Sequence, residues 1–172
     1  MLLFALQNEA DVGKVLPQLW RYRVDGAIAA ASLSAPQLSQ FERHQVPVVL
    51  YSRVAENDAV PSMICDSVGG ERLLIDHLVA AGHRGFTILS GPRDSYVGNQ
   101  RVEDALVRLA HHDVSADVLL GRFDHESGAE GLRQVMLKKL RPEALICAND
   151  LMAIGAMDAA RDEFGLTIPD DP

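Results

Sequence analysis

Short apolar runs alternate with helix-patterned stretches along the whole chain, and this alternation restricts the fold more than any other feature. The runs cover residues 2–6, 24–31, 46–51, 62–65, 85–90, 117–120 and 144–148. Most are continuous rather than alternating in polarity, which predicts strands buried on both faces of a parallel sheet. Between them, Val12, Val15, Leu16 and Leu19 fall at i, i+3, i+4 and i+7. Leu74, Leu78 and Ala81 form a stripe ended by Gly82; Val102, Ala105, Leu106 and Leu109 repeat the spacing, as do Leu132, Val135, Met136 and Leu140. A last helix is predicted over about 151–164, carrying Gly155, Ala156, Ala159 and Ala160 and stopping at Gly165. Pro17 interrupts the first pattern and predicts a kink or a restart there.

Strand and helix alternating in this way predict an α/β fold with parallel sheets and right-handed crossovers. Ligands in such folds bind beyond the carboxyl ends of the strands. That singles out Ser32, Ser52, Arg53, Asp66, Gly91 to Ser95, Phe123, Asp124, Asn149 and Asp150. Ser, Asp and Asn are also the preferred helix caps, so each has a structural reading beside a functional one.

Acidic residues outnumber Lys and Arg by 24 to 16, giving a net charge of −8. A phosphate-gripping surface would show a basic stripe. Lys138, Lys139 and Arg141 form only a short cluster at an expected helix end, so this piece alone is not a DNA binder. Cys65 and Cys147 fall within or at the end of apolar runs, which suits buried, reduced thiols. The start, Met1 to Leu6 followed by Gln7-Asn8-Glu9, lacks a basic leader, and no run approaches the ~18 apolar residues of a membrane span. A cytoplasmic protein is expected. The six histidines show no metal-ligand spacing, Gly69-Gly70 lacks a nucleotide fingerprint, and there is no Gly-x-Ser-x-Gly elbow. No metal and no cofactor is expected.

Three longer segments carry more information. The first is Asp66-Ser-Val-Gly69-Gly70, running on to Gly82-His83-Arg84. The second is Phe86-Thr-Ile-Leu-Ser-Gly91-Pro92, running on to Arg101. The third is Ala148-Asn149-Asp150-Leu151-Met152-Ala153-Ile154-Gly155, followed by Gly165-Leu166 and Pro169-Asp170-Asp171. With Val24 to Ile28 and Val46 to Val49 preceding them, their order and spacing resemble the effector-binding domain of LacI-type transcription regulators.

The resemblance implies two Rossmann-like lobes of the periplasmic binding protein-like type I, with an effector in the cleft between them. Residues 1–66 would form part of the N-terminal lobe and 67–172 the C-terminal lobe, interleaving at the hinge. It further implies a homodimer, and DNA contact only through a helix-turn-helix that this chain does not contain. Measured against the family pattern the chain is expected to be incomplete at both ends. It departs from the pattern at Asp104, where a glycine is usual.

By the same resemblance Arg101 corresponds to the cleft arginine, Asn149 to the asparagine of an Ala-Asn-Asp turn, and Ser95 and Val97 to variable ligand contacts. Asp66 is a ligand-binding candidate for which a cap or an inter-lobe hydrogen bond is the favoured reading, and Tyr96 could stack on a sugar ring or pack within the protein. A guanidinium offers fixed donors for hydroxyls, carboxylate or phosphate; the structural alternative for Arg101 is a surface pair with Glu103 or Asp104. Small Ser95 beside apolar Val97 suggests a neutral or partly apolar effector, and the resemblance implies a sugar or nucleoside-like molecule. The function implied is effector binding and dimerisation in a transcription regulator, not catalysis. The alternatives are a periplasmic-type solute-binding protein for a sugar and, more remotely, a racemase using paired thiols.

Overall fold

The computed structural model describes residues 1–6, 11–55, 60–93, 95–138 and 141–169. Gln7 to Glu9, Lys139, Leu140, Asp170 and Asp171, named above, lie outside them. The chain divides into two compact units, Met1–Cys65 and Asp66–Pro172.

In the first unit the described elements are α1 (Val12–Tyr22), β1 (Ala27–Ala29), α2 (Ala35–Arg43), β2 (Val48–Tyr51) and β3 (Ser62–Met63). The strands form a parallel sheet in the order β1-β2-β3, with Ala27 opposite Val48 and Leu50 opposite Ser62. Val12 and Leu16 from α1, Leu38 and Phe41 from α2, and Val48 and Leu50 from β2 make the core. Trp20 closes its edge, meeting Phe41 edge-on at 5.0 Å and stacking on His44 at 4.3 Å. α2 starts with a reciprocal capping box between Ser34 and Gln37.

Two expectations meet the structure in this unit, a strand over residues 2–6 and a kink or restart at Pro17. Residues 2–6 form no strand: Met1 to Leu3 are exposed and Leu6 packs against the core without joining a ladder. Apolar content gives Leu6 a burial partner, but a strand also needs a neighbouring edge to hydrogen-bond. α1, in turn, runs through Pro17 unbroken. Pro17 and Gly13, whose carbonyl a proline at this position would crowd, both lie on the exposed face, where the helix can yield without disturbing Val12 and Leu16.

The second unit contains α3 (Ser67–Ala80), β4 (Phe86–Ser90), α4 (Tyr96–Ala110), β5 (Ala116–Leu120), α5 (His125–Met136), β6 (Ala144–Cys147) and α6 (Asp150–Phe164). The strands pair in parallel in the order β5-β4-β6, with Ile88 between Val118 and Ile146. Side chains alternate across β4. Phe86 and Ile88 pack with Ile75 of α3, Ala105 and Leu109 of α4, and Ile146. Leu89, on the other face, packs with Ala148 and Met152, and α5 and α6 meet through Ala129, Leu132, Ala156, Ala159 and Ala160.

All of β4 is buried, as a continuous apolar run predicts. β5 is not: Asp117, Val118 and Leu120 are exposed, because β5 lies at the edge of the three-stranded sheet. The small residues of α5 and α6 permit a close crossing. A Cβ on Gly155 would stand 1.9 Å from the His125 carbonyl oxygen, and one on Gly128 2.1 Å from that of Met152. α6 ends where expected, with Gly165 in the left-handed region at φ 66°. α5 stops at Met136, short of the predicted stripe's last residue, and the following Lys138 pairs with Asp117 at 2.7 Å.

Candidate functional site

The carboxyl ends of β4, β5 and β6 are knitted together by the polar residues that follow them. Ser95 is the N-cap of α4, its Oγ accepting from the Gly98 amide at 3.1 Å. Asp124 caps α5 through the Ser127 amide at 2.7 Å. Asn149 caps α6, its Oδ1 accepting from the Met152 amide at 3.0 Å. Its amide nitrogen reaches in the other direction and donates to the Phe123 carbonyl at 2.9 Å, joining the end of β5 to the start of α6.

Arg101 extends from the second turn of α4, and its Nη1 donates to the Ala148 carbonyl. Arg101 therefore reaches the residue next to Asn149. Of the two structural pairings considered for Arg101, neither is made among the described residues: Asp104 Oδ1 instead accepts from Gln100 Nε2 at 3.1 Å.

Phe123, one of the strand-end residues the sequence points to, is not among the ligand contacts that the resemblance implies. Its backbone is left-handed, with φ 65°, uncommon for a residue with a bulky side chain. Its ring lies on two glycines: a Cβ on Gly91 would come within 2.1 Å of Phe123 Cζ, and one on Gly98 within 2.9 Å. Below, Phe123 packs against the cluster of Leu89, Ala148 and Met152. The glycine after β4 and the glycine in the first turn of α4 thus leave room for an aromatic ring from the β5 end. Their spacing, seven residues apart around a Pro turn, is the only sequence signal, and it does not name the ring.

A family model described as "Periplasmic binding proteins and sugar binding domain of LacI family" matches residues 1–171. The chain belongs to this family. Among its relatives is the HTH-type transcriptional repressor PurR of Pectobacterium atrosepticum, 31% identical over 98% of this chain and 52% of its own length. PurR of Salmonella arizonae is 32% identical over 91% of this chain and 47% of its own. The chain spans about half the length of the curated relatives it matches. Among solved structures, a dimeric Lac repressor with an 11-residue C-terminal deletion superposes with a TM-score of 0.83 at 28% identity, covering 96% of this chain and 61% of that one. A LacI-family regulatory protein from Chloroflexus aggregans gives 0.81 at 30% identity, covering 98% and 61%. The fold is that of the type I periplasmic binding proteins, in part.

Within this family's fold, the remaining candidates stand as follows. Val97 is half-buried in the first turn of α4, and Tyr96 beside it is exposed. Asp66 is exposed and caps α3, its Oδ1 accepting from the Gly69 amide at 2.9 Å. Among the described residues no hydrogen bond or ion pair joins it to the cluster around Arg101 and Asn149, so its observed role is the cap. The cysteines also differ from expectation. Cys147 is half-buried, and burial pushes its thiol up to about 11. Cys65 is exposed and free, because the short strand before it, β3, is itself exposed at the sheet edge. A thiol that stays protonated at neutral pH is a poor nucleophile, and membership in a family of binding domains leaves the racemase reading without support.

Among the described residues no helix is long and apolar enough to cross a membrane, and no cluster of His, Cys, Asp and Glu could hold a metal ion.

Proposed function

We propose that this chain is the effector-binding part of a transcription regulator, and that Arg101, Asn149, Ser95, Val97 and Phe123 contact a small, uncharged, hydroxylated effector such as a sugar or nucleoside. The observation that carries this reading is the convergence of Arg101, Ala148, Asn149 and Phe123 beyond the carboxyl ends of the strands, where α/β folds bind ligands. The half-buried ring of Phe123 offers a flat apolar surface, and the guanidinium N–H groups that do not serve Ala148 offer donors for hydroxyl oxygens. The relatives' names, HTH-type repressors, favour a regulator over a periplasmic-type solute-binding protein. The same names support a cytoplasmic protein that meets DNA through a helix-turn-helix carried outside this chain, and the dimeric Lac repressor supports a homodimer.

Binding would act by population shift: a ligand moves an equilibrium only by the difference in its affinity for the two states. Reciprocity then requires operator DNA to change effector affinity by the same factor in the intact regulator. The test is a calorimetric screen of sugars and nucleosides against the wild type and Arg101→Ala. A charge-assisted hydrogen bond contributes about 1.5–3 kcal/mol, so the variant should bind roughly 10- to 150-fold more weakly. A ligand whose affinity is unchanged in Arg101→Ala would remove Arg101 from the site and sink this assignment.

A further inference from the structure

α3 and α4 lie side by side, and two contacts fix their register. Ile75 packs with Ala105 and Leu109, and the Arg108 guanidinium donates to both oxygens of Asp76 at 2.7 and 2.6 Å. About one turn earlier on each helix stand Glu71, four residues before Ile75, and Arg101 and Asp104, four before Ala105 and Arg108. Residues four apart share a helix face. Glu71 therefore belongs to the face of α3 that meets α4, and Arg101 and Asp104 to the face of α4 that meets α3.

Glu71 Oε2 and Asp104 Oδ2 are both buried, and among the described residues neither has a hydrogen-bond partner. Burial holds the Glu71 carboxyl above the usual carboxylate range; the positive charge of Arg101 draws it down and the negative charge of Asp104 raises it again. Two carboxyl groups thus stand behind the arginine that faces Ala148. With both ionised the three groups sum to −1, and with a proton on one of them to zero. In neither state is positive charge left over for an anion. The guanidinium N–H groups keep their ability to donate to a neutral oxygen, because hydrogen bonding needs no net charge on the cluster.

We infer that Glu71 and Asp104 are specificity-determining residues, which make the Arg101 site accept an uncharged ligand and reject its phosphate ester or carboxylate. The inference rests on the reading of Arg101 as an effector contact and names what that contact excludes. It requires no ligand at the carboxylates themselves; their role is to compensate Arg101 from the α3 side.

Inorganic phosphate serves as the probe, so the effector need not be known. It is titrated into the wild-type chain, into the Glu71→Gln/Asp104→Asn double variant, and into that variant with Arg101→Ala added, following amide chemical shifts near Ala148. The wild type should show no saturable shift there. The double variant should bind phosphate at least about tenfold more tightly, as expected for removing one negative charge within about 10 Å at an effective dielectric near 20. Adding Arg101→Ala should abolish that binding. Saturable phosphate binding by the wild type at Ala148 overturns the inference, and so does a double variant that gains none. If the double variant does not fold, Asp104→Asn alone decides, with about a tenfold gain expected and no gain refuting. Failure of the effector reading looks different: a neutral ligand is found whose affinity ignores Arg101→Ala, whatever phosphate does.

Discussion

Replacing Asn149 by alanine and by serine separates two tasks held by one side chain. Its Oδ1 caps α6 at the Met152 amide, and its Nδ2 donates to the Phe123 carbonyl. Alanine removes both: the cap is worth about 1 kcal/mol, and the neutral hydrogen bond to Phe123 about another 1 kcal/mol. The expected loss is therefore about 2 kcal/mol. Serine can still cap, being among the preferred residues there, but is too short to reach Phe123, so it should lose only about 1 kcal/mol. Urea unfolding followed by far-UV circular dichroism measures both losses. Trp20 is the only tryptophan and lies in the first unit, so its fluorescence transition serves as an internal control for damage confined to the second. Hydrogen exchange at the Met152 amide should speed up in the alanine variant and stay near wild type in the serine variant. A serine variant as stable as wild type would show that the bond to Phe123 contributes nothing. A serine variant as unstable as alanine, with a fast-exchanging Met152, would refute the cap.

Two further outcomes follow from the ionisable groups. The Asp76 carboxyl is held down to about 2, first by the Arg108 hydrogen bonds and then by His112; a depressed carboxylate adds stability above its ordinary value near 3.9 and loses it as pH falls toward the folded value. Asp76→Asn should therefore flatten the fall in Tm between about pH 4 and pH 2, and an unchanged slope would refute the linkage. For the thiols, a disulfide reagent at about pH 8 should modify exposed Cys65 quickly and Cys147 only after unfolding. Two fast-reacting thiols in the folded chain would show that Cys147 is not shielded.

The sequence made the layering legible because hydrophobic periodicity reports which faces are buried. The stripes at Ala105 to Leu109 and Leu132 to Val135 lie where their spacing predicts, whereas on α3 Ile75 is the buried residue and Leu74 and Ala81 of the expected stripe are exposed; Gly82 and Gly165 stand with positive φ just past their helices. Periodicity is blind to position within a sheet. The run at 117–120 reads like the run at 85–90, yet one is an edge strand with Val118 and Leu120 exposed and the other is central. Cys65 fails for the same reason, since it follows β3, the edge strand of its sheet among the described residues. The site was legible at residues that cap helices, because Ser95 and Asn149 carry a local signature. Phe123 was legible only as a strand-end position, because the role of its ring depends on a left-handed backbone and on glycines 25 and 32 residues away in sequence. Glu71 was silent, and Asp104 showed only as a departure from the family's glycine and a possible pair for Arg101: helical spacing gives each a face but not which helix it meets.

The overlap between capping and binding candidates is a consequence of where α/β folds leave room. A strand-to-helix turn must satisfy the first amides of the helix, so it carries Ser, Asp or Asn, and the same turn lines the carboxyl edge of the sheet. The two uses do not compete for the same atoms. Asn149 keeps an amide hydrogen and an oxygen lone pair beyond those engaged with Phe123 and Met152, and Ser95 Oγ, which accepts from Gly98, keeps its proton to donate. A ligand can therefore bind to groups already immobilised by the scaffold, and loses little side-chain entropy in doing so. It follows that truncating Asn149 must weaken both stability and binding, and loss of binding in that variant alone cannot identify a contact. Arg101 and the Glu71–Asp104 pair separate the two, because they change the charge presented to a ligand without removing a cap.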